Sequence, residues 1–156
     1  MTRHILVTYA TRAGSTVEVA RAIGAVLEER GLAVDVVPVT TKPPVAGYDA
    51  VILGSAIRMG NWLPEAIEFL EEHKLQLATM PVALFTVHMN NLGEDDVSRD
   101  NREHYLDAVR PLVDPVSTAF FAGAINRERL TFLDRLIARI VKAPEGDFRN
   151  WDEIRD

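Results

Sequence analysis

The run Ala50-Val51-Ile52-Leu53-Gly54 has no polar residue at any position. A strand with one wet face alternates apolar and polar side chains. A strand that is apolar throughout is covered on both faces, as in the middle of a parallel sheet flanked by helices. The rest of the chain fits that requirement. Short apolar runs predict strands at about His4–Thr8, Ala33–Val39, Asp49–Gly54, Pro81–Val87 and Thr118–Ala122. Amphipathic stretches lie between them. Ser15–Arg30 carries Val17, Ala20, Ile23, Val26 and Leu27 at helical spacing, with Gly31 ending it. Pro64 to about His73 opens with a proline suited to a first helical turn. Ser98–Val113 places Tyr105, Leu106, Val109 and Leu112 on one face, and Arg127–Lys142 repeats Leu130, Leu133, Leu136, Ile137, Ile140 and Val141. Strands and helices alternating over 156 residues predict a single α/β domain, residues 1–156, folded as a doubly wound three-layer sandwich with five strands. The stretches Thr40–Pro44, Ser55–Leu63 and His88–Val97 are expected as loops.

In such sheets ligands bind beyond the carboxyl ends of the strands, where strand order reverses. The loops after the first, third and fourth strands therefore belong together. The first, Thr11-Arg12-Ala13-Gly14-Ser15-Thr16, joins a strand to a helix. The first N–H groups of a helix have no internal partner and lie at its positive dipole end, so a phosphate can accept from them and from nearby hydroxyls. The same residues also suit a plain N-cap, with Ser15 or Thr16 as the cap. Neither a Walker loop nor a Gly-x-Gly-x-x-Gly fingerprint is present.

The second loop, Gly54-Ser55-Ala56-Ile57-Arg58-Met59-Gly60-Asn61-Trp62, combines small residues that let backbone meet a planar ligand edge-on with Trp62 as a stacking face. Arg58 offers a cation to a ring system or an acidic substrate. The plainer alternative packs Trp62 on its own helix and pairs Arg58 with a surface acid. The third loop, Thr86-Val87-His88-Met89-Asn90-Asn91-Leu92-Gly93-Glu94, has amide and imidazole groups for a heterocycle's polar edge. A solvated loop is the alternative there.

Thr11-x-x-Gly14-Ser15-Thr16 after a first strand resembles the phosphate loop of flavodoxins, Ser/Thr-x-Thr-Gly-x-Thr. Gly54-Ser55-Ala56-Ile57-Arg58-x-Gly60 and the tail Lys142-Ala143-Pro144-Glu145-Gly146-Asp147-Phe148-Arg149-x-Trp151 look like the branch of that family that includes menaquinone-dependent protoporphyrinogen oxidase. The resemblance implies a flavodoxin-like three-layer sandwich whose five-stranded parallel sheet runs in the order 2-1-3-4-5, with FMN bound noncovalently. It implies that Thr11, Gly14, Ser15 and Thr16 hold the phosphate, with Arg12 and Ala13 adding backbone N–H groups. Ser55, Ala56, Ile57 and Gly60 would border the flavin, and Arg58, Trp62, Val87, His88, Met89 and Asn90 in the same two loops are read as further cofactor-binding candidates. The third loop has no aromatic residue where flavodoxins usually stack one, so that face is covered by His88 or Met89 or left open.

Two functions follow from the resemblance. One is a flavin oxidoreductase of the protoporphyrinogen oxidase type in heme biosynthesis, taking hydrogen from a tetrapyrrole and passing electrons to a quinone. The other is an FMN electron carrier without its own substrate, docking a redox partner protein through acidic surface. A flavodoxin-fold chain that has lost FMN is a third. No catalytic side chain is assigned.

Charge and composition narrow the partners. The formal net charge is −6, which disfavours nucleic acid. Cysteine is absent, which removes disulfides, thiolate metal ligands and iron–sulfur clusters, and no metal site is read. Met1-Thr2-Arg3-His4 leads straight into a strand, and no apolar run approaches the ~18 residues of a membrane span, so a cytoplasmic protein is expected. The stretch Arg127–Lys142 sets five cations, Arg127, Arg129, Arg135, Arg139 and Lys142, against Glu128 and Asp134 beside its apolar stripe. Such a helix is usually a core helix. It also suits peripheral contact with an anionic membrane, which would bring a lipid quinone to the flavin, or a homodimer interface.

Overall fold

The structure is a computed structural model that describes residues 3–11, 15–88, 96–121 and 132–141. The elements in chain order are β1 (His4–Ala10), α1 (Ser15–Glu29), β2 (Ala33–Pro38), a 3-10 turn (Val39–Thr41), β3 (Ala50–Arg58), β4 (Asn61–Trp62), α2 (Pro64–Glu72), α3 (Lys74–Leu77), β5 (Val82–Val87), α4 (Asp96–His104), β6 (Ser117–Phe121) and α5 (Leu133–Val141). Five strands form one parallel sheet in the order β2-β1-β3-β5-β6, and β4 pairs antiparallel with β3 off its end. Counting only the parallel strands, this is the expected order 2-1-3-4-5.

The central strand behaves as its composition requires. Ala50, Val51, Ile52 and Leu53 are all fully buried. Ile52 joins a cluster with Ile23, Leu27, Leu136 and Ile140 from α1 and α5. Val51 and Leu53 join the opposite cluster with Ala66, Leu70, Leu106 and Val109, from α2 and the segment after α4. Two apolar layers on one sheet make the three-layer sandwich. Gly54 continues β3 beneath Phe85 of the neighbouring strand. A Cβ there would lie 1.9–2.2 Å from the Phe85 ring carbons, so the ring rests where a side chain would otherwise stand.

Helix ends follow the sequence signals. Gly31 takes φ 86° just beyond α1. Its N–H donates to the Glu28 carbonyl at 3.0 Å and that of Leu32 to Leu27 at 3.2 Å, the two bonds of a Schellman motif. Pro64 occupies the first turn of α2, where a missing N–H costs nothing. Arg30 joins α1 to α5 through an ion pair with Asp134 at 2.8 Å.

Several boundaries depart from expectation. The stretch Ser55–Leu63 is not an irregular loop: β3 runs on to Arg58 and turns back through β4. The helix expected over Ser98–Val113 is α-helical only as Asp96–His104. The next N–H groups bond three residues back, Tyr105 to Arg102, Leu106 to Glu103 and Asp107 to His104. That tighter winding still buries Tyr105, Leu106 and Val109. The short helix α3 and the 3-10 turn after β2 were not anticipated.

The stripe on α5 faces the core, with Leu133, Leu136, Ile137 and Ile140 buried. These four side chains are therefore taken up by the core against the sheet. No helix among the described residues is long and apolar enough to cross a membrane. Residues 127–131, Lys142 and the tail from Ala143 to Trp151 lie outside the described residues.

Candidate functional site

The carboxyl ends of β1, β3 and β5 lie side by side. Ala10 is in register with Ser55, and Ala56 with Val87. This registration brings the expected loops to one edge of the sheet. Thr11 directly follows β1, and α1 begins at Ser15. Arg12, Ala13, Gly14, Met89 and Asn90 lie outside the described residues.

Thr16, the second residue of α1, is fully buried, and its Oγ1 has no hydrogen-bond partner. A buried hydroxyl without a partner costs ~1–3 kcal/mol relative to a satisfied one. Here it stands in the first turn of a helix, among N–H groups that have no carbonyl to bond. That donor set suits a phosphate or another oxyanion, so the residues present fit a phosphate-bearing group.

The β3–β4 hairpin is the best-defined wall. Met59 and Gly60 form its turn, between the paired Arg58 and Asn61, with φ of 54° and 79°. Two positive φ values are the signature of a type I′ turn, which matches the twist of the strands it joins. Glycine adopts such a value freely, whereas Met59 holds it at a steric cost of about 1–2 kcal/mol. The Met59 side chain is 90% exposed, and the exposed Arg58 pairs with no acid among the described residues.

Two buried polar contacts fix the base of the hairpin. Ser55 Oγ accepts from the Leu63 N–H at 2.9 Å and donates to the Ala56 carbonyl at 2.7 Å. Trp62 Nε1 donates to Thr86 Oγ1 at 3.0 Å. The indole is only 2% exposed, so it offers no stacking face and instead locks the hairpin onto β5. Ser55 likewise spends its hydroxyl on the hairpin. The half-buried Ala56 and Ile57 and the exposed Gly60 are left to border a ligand on this side.

Val87 ends β5 and is buried. His88 is not part of a solvated loop. It is 5% exposed, its N–H donates to the Phe121 carbonyl at 2.9 Å, and its ring lies against Tyr105 and Phe120 with centroids 5.7 and 6.1 Å apart. Trp62 thus packs inward, closer to the plainer alternative though against β5, and His88 is buried where a solvated loop was the alternative, because exposure depends on partners remote in sequence. A signal was available for Trp62: it and Ile57 frame a short turn containing glycine, as in a hairpin.

The Flavodoxin domain family model matches residues 6–152. The chain belongs to this flavodoxin-domain family. The protoporphyrinogen IX dehydrogenase [quinone] of Escherichia coli strain K12 is 28% identical to it over 161 aligned residues, which span 96% of this chain and 89% of that protein. Among solved structures, a short-chain flavodoxin associated with a non-canonical PDU bacterial microcompartment overlays 88% of this chain and 98% of its own with a TM-score of 0.64 at 17% identity. The rubredoxin oxygen:oxidoreductase of Desulfovibrio gigas overlays 99% of this chain with a TM-score of 0.63 at 15% identity, and there the chain spans 37% of the other protein. These likenesses establish the fold, and family membership implies a flavin cofactor, making this a flavodoxin-like flavoprotein.

Proposed function

We propose that this flavodoxin-domain protein binds FMN at the carboxyl ends of β1, β3 and β5 and oxidises a protoporphyrinogen-type tetrapyrrole, passing the electrons to a quinone. The observation that carries the reading is the similarity to protoporphyrinogen IX dehydrogenase [quinone] across nearly the whole of both chains. FMN, when bound, supplies the exchange of hydrogen and electrons between the two substrates.

The chain's own residues have supporting roles. Thr16 Oγ1 and the first N–H groups of α1 hold the phosphate, with Thr11 beside them. The backbone of Ala56 and Ile57 and the turn at Gly60 border the ring system, held in place by Ser55 and Trp62 from behind. Burial of His88 and Trp62 leaves neither ring to stack on the flavin, which supports an open face for a bulky reductant.

The test is an anaerobic assay of the FMN-loaded protein with protoporphyrinogen IX and a menaquinone analogue. Turnover well above that of free FMN is expected, and none above it would overturn the reading. The overlay with nearly all of a flavodoxin favours a second reading, an electron carrier with no substrate of its own. Reduction by a flavodoxin reductase, without tetrapyrrole turnover, would select the carrier.

A further inference from the structure

The outer flank of β6 carries a groove of about 750 Å³, whose walls among the described residues come from the segment 110–120 and from Phe132 and Arg135. Arg110, Ser117, Phe120, Phe132 and Arg135 are among its walls. A second groove of about 400 Å³ adjoins it, sharing Arg110 and Asp114 and adding Lys74 and Arg139. The volumes fall in the range of small-molecule sites, roughly 300–1,000 Å³.

The charge here is opposite to that of the molecule. The chain has a net charge of −6, yet among the described residues Lys74, Arg110, Arg135 and Arg139 line the two grooves with Asp114 as the one acid. Arg110 is partly occupied by Glu103. Arg135 and Arg139 have no acidic partner among the described residues, and they stand one helical turn apart on the face of α5 that the core leaves free.

A second observation is independent of charge. Ser117 is 8% exposed, and its Oγ has no hydrogen-bond partner. It lies on the first residue of β6, in the groove wall. Guanidinium forks, an unsatisfied hydroxyl and the Phe132 ring on the α5 face of β6 are a donor and wall set for an oxyanion attached to an apolar ring, while Phe120 belongs to the opposite face. The forks match a carboxylate or phosphate in two-point geometry, and the Phe132 ring accepts a flat apolar body.

We infer that the β6–α5 groove is a second ligand site, separate from the flavin end of the sheet, and that it takes a small aromatic molecule bearing carboxylate or phosphate groups. Arg135 supplies the principal charge and Ser117 the buried hydrogen bond. The reading does not depend on the reaction proposed above.

The probes are phthalate, an aromatic dicarboxylate, and inorganic pyrophosphate. Each is titrated into the full-length protein with FMN in excess, so that the oxyanion donors at α1 are already engaged. Amide shifts in ¹H–¹⁵N spectra are expected at residues 117–120 and 132–139. Arg135→Gln should weaken binding roughly tenfold, the loss of one charge-assisted contact. Ser117→Ala should weaken it a few-fold without lowering the melting temperature, because it removes a hydroxyl that has no partner in the free protein. Response to both probes identifies oxyanion recognition. Response to phthalate alone adds a requirement for the ring, and response to pyrophosphate alone would overturn the aromatic part of the inference. Absence of shifts in these segments with both probes, or unchanged affinity in Arg135→Gln, would overturn the inference.

Discussion

Ser55 and Thr16 are both fully buried, and both belong to the candidate site, but their hydroxyls are used differently. Ser55 makes two hydrogen bonds and pins the hairpin to the start of α2. Thr16 makes none. A satisfied buried hydroxyl is part of the scaffold, and its removal exposes its partners. An unsatisfied one costs stability in the free protein and repays it only when something else accepts its proton. The two sides of the candidate site therefore differ: the hairpin is already satisfied within the fold, and the start of α1 carries an unused hydroxyl, which the proposed phosphate contact would satisfy. Tyr48 is a third case. Its hydroxyl donates to Asp35 at 2.7 Å in a solvent-exposed contact, where water competes for both groups.

The division can be broken from its strongest point downward. Trp62→Ala opens a cavity behind the hairpin and strands Thr86, and should destabilise by about 3–5 kcal/mol. Thermal unfolding would show this as a drop of ~2–4 °C per kcal/mol for a chain of this size. Ser55→Ala leaves the Leu63 N–H buried without an acceptor and should cost ~1–3 kcal/mol, read in the same way. Thr16→Val should leave unfolding unchanged or slightly raised while weakening FMN binding about tenfold, measured by quenching of flavin fluorescence. If Thr16→Val instead unfolds like Ser55→Ala, the two hydroxyls do not differ as argued.

The smallest effect belongs to Tyr48. Its phenol is pushed up to about 12, first by burial and then by the hydrogen bond to Asp35 and that carboxylate's charge. The folded state thus keeps a proton that the unfolded chain releases near 10. The associated stability is complete below pH ~10 and is lost as pH rises through about 12. At so exposed a contact it should amount to under about 1 kcal/mol. Tyr48→Phe should flatten the fall in stability over that interval of an alkaline titration.

Much of the architecture was legible because burial on two faces leaves an unmistakable pattern. Ala50 to Leu53 pointed to a central strand, and the apolar spacing of α1 marked its core face. The stripe of α5 was compatible with the core, a membrane or a second copy until the fold placed Leu133, Leu136, Ile137 and Ile140 in the core. The hairpin was harder. Ser55, Ala56 and Arg58 have the small and polar character of a loop, and their strand geometry comes from pairing with β4 and β5, which local propensity does not encode. The end of α4 was obscured for a related reason: a tighter winding buries Leu106 and Val109 as well as an α-helix would. Trp62 and His88 were visible as candidates. Whether an aromatic ring faces a ligand or the core is decided by neighbours such as Thr86, Tyr105 and Phe120, which only the folded chain assembles.

The seam where Phe85 lies over Gly54 ties two neighbouring strands into a single inheritance. Phe85 is fully buried and meets Phe121 edge-on, so its ring cannot retreat to admit even a methyl group without disturbing a second strand. Position 54 and position 85 therefore hold one volume in common, and a lineage can redistribute it only by changing both. Descendants of this chain with alanine at 54 should carry something smaller than phenylalanine at 85, and the order in which the two changes arrive is constrained: the ring must shrink first.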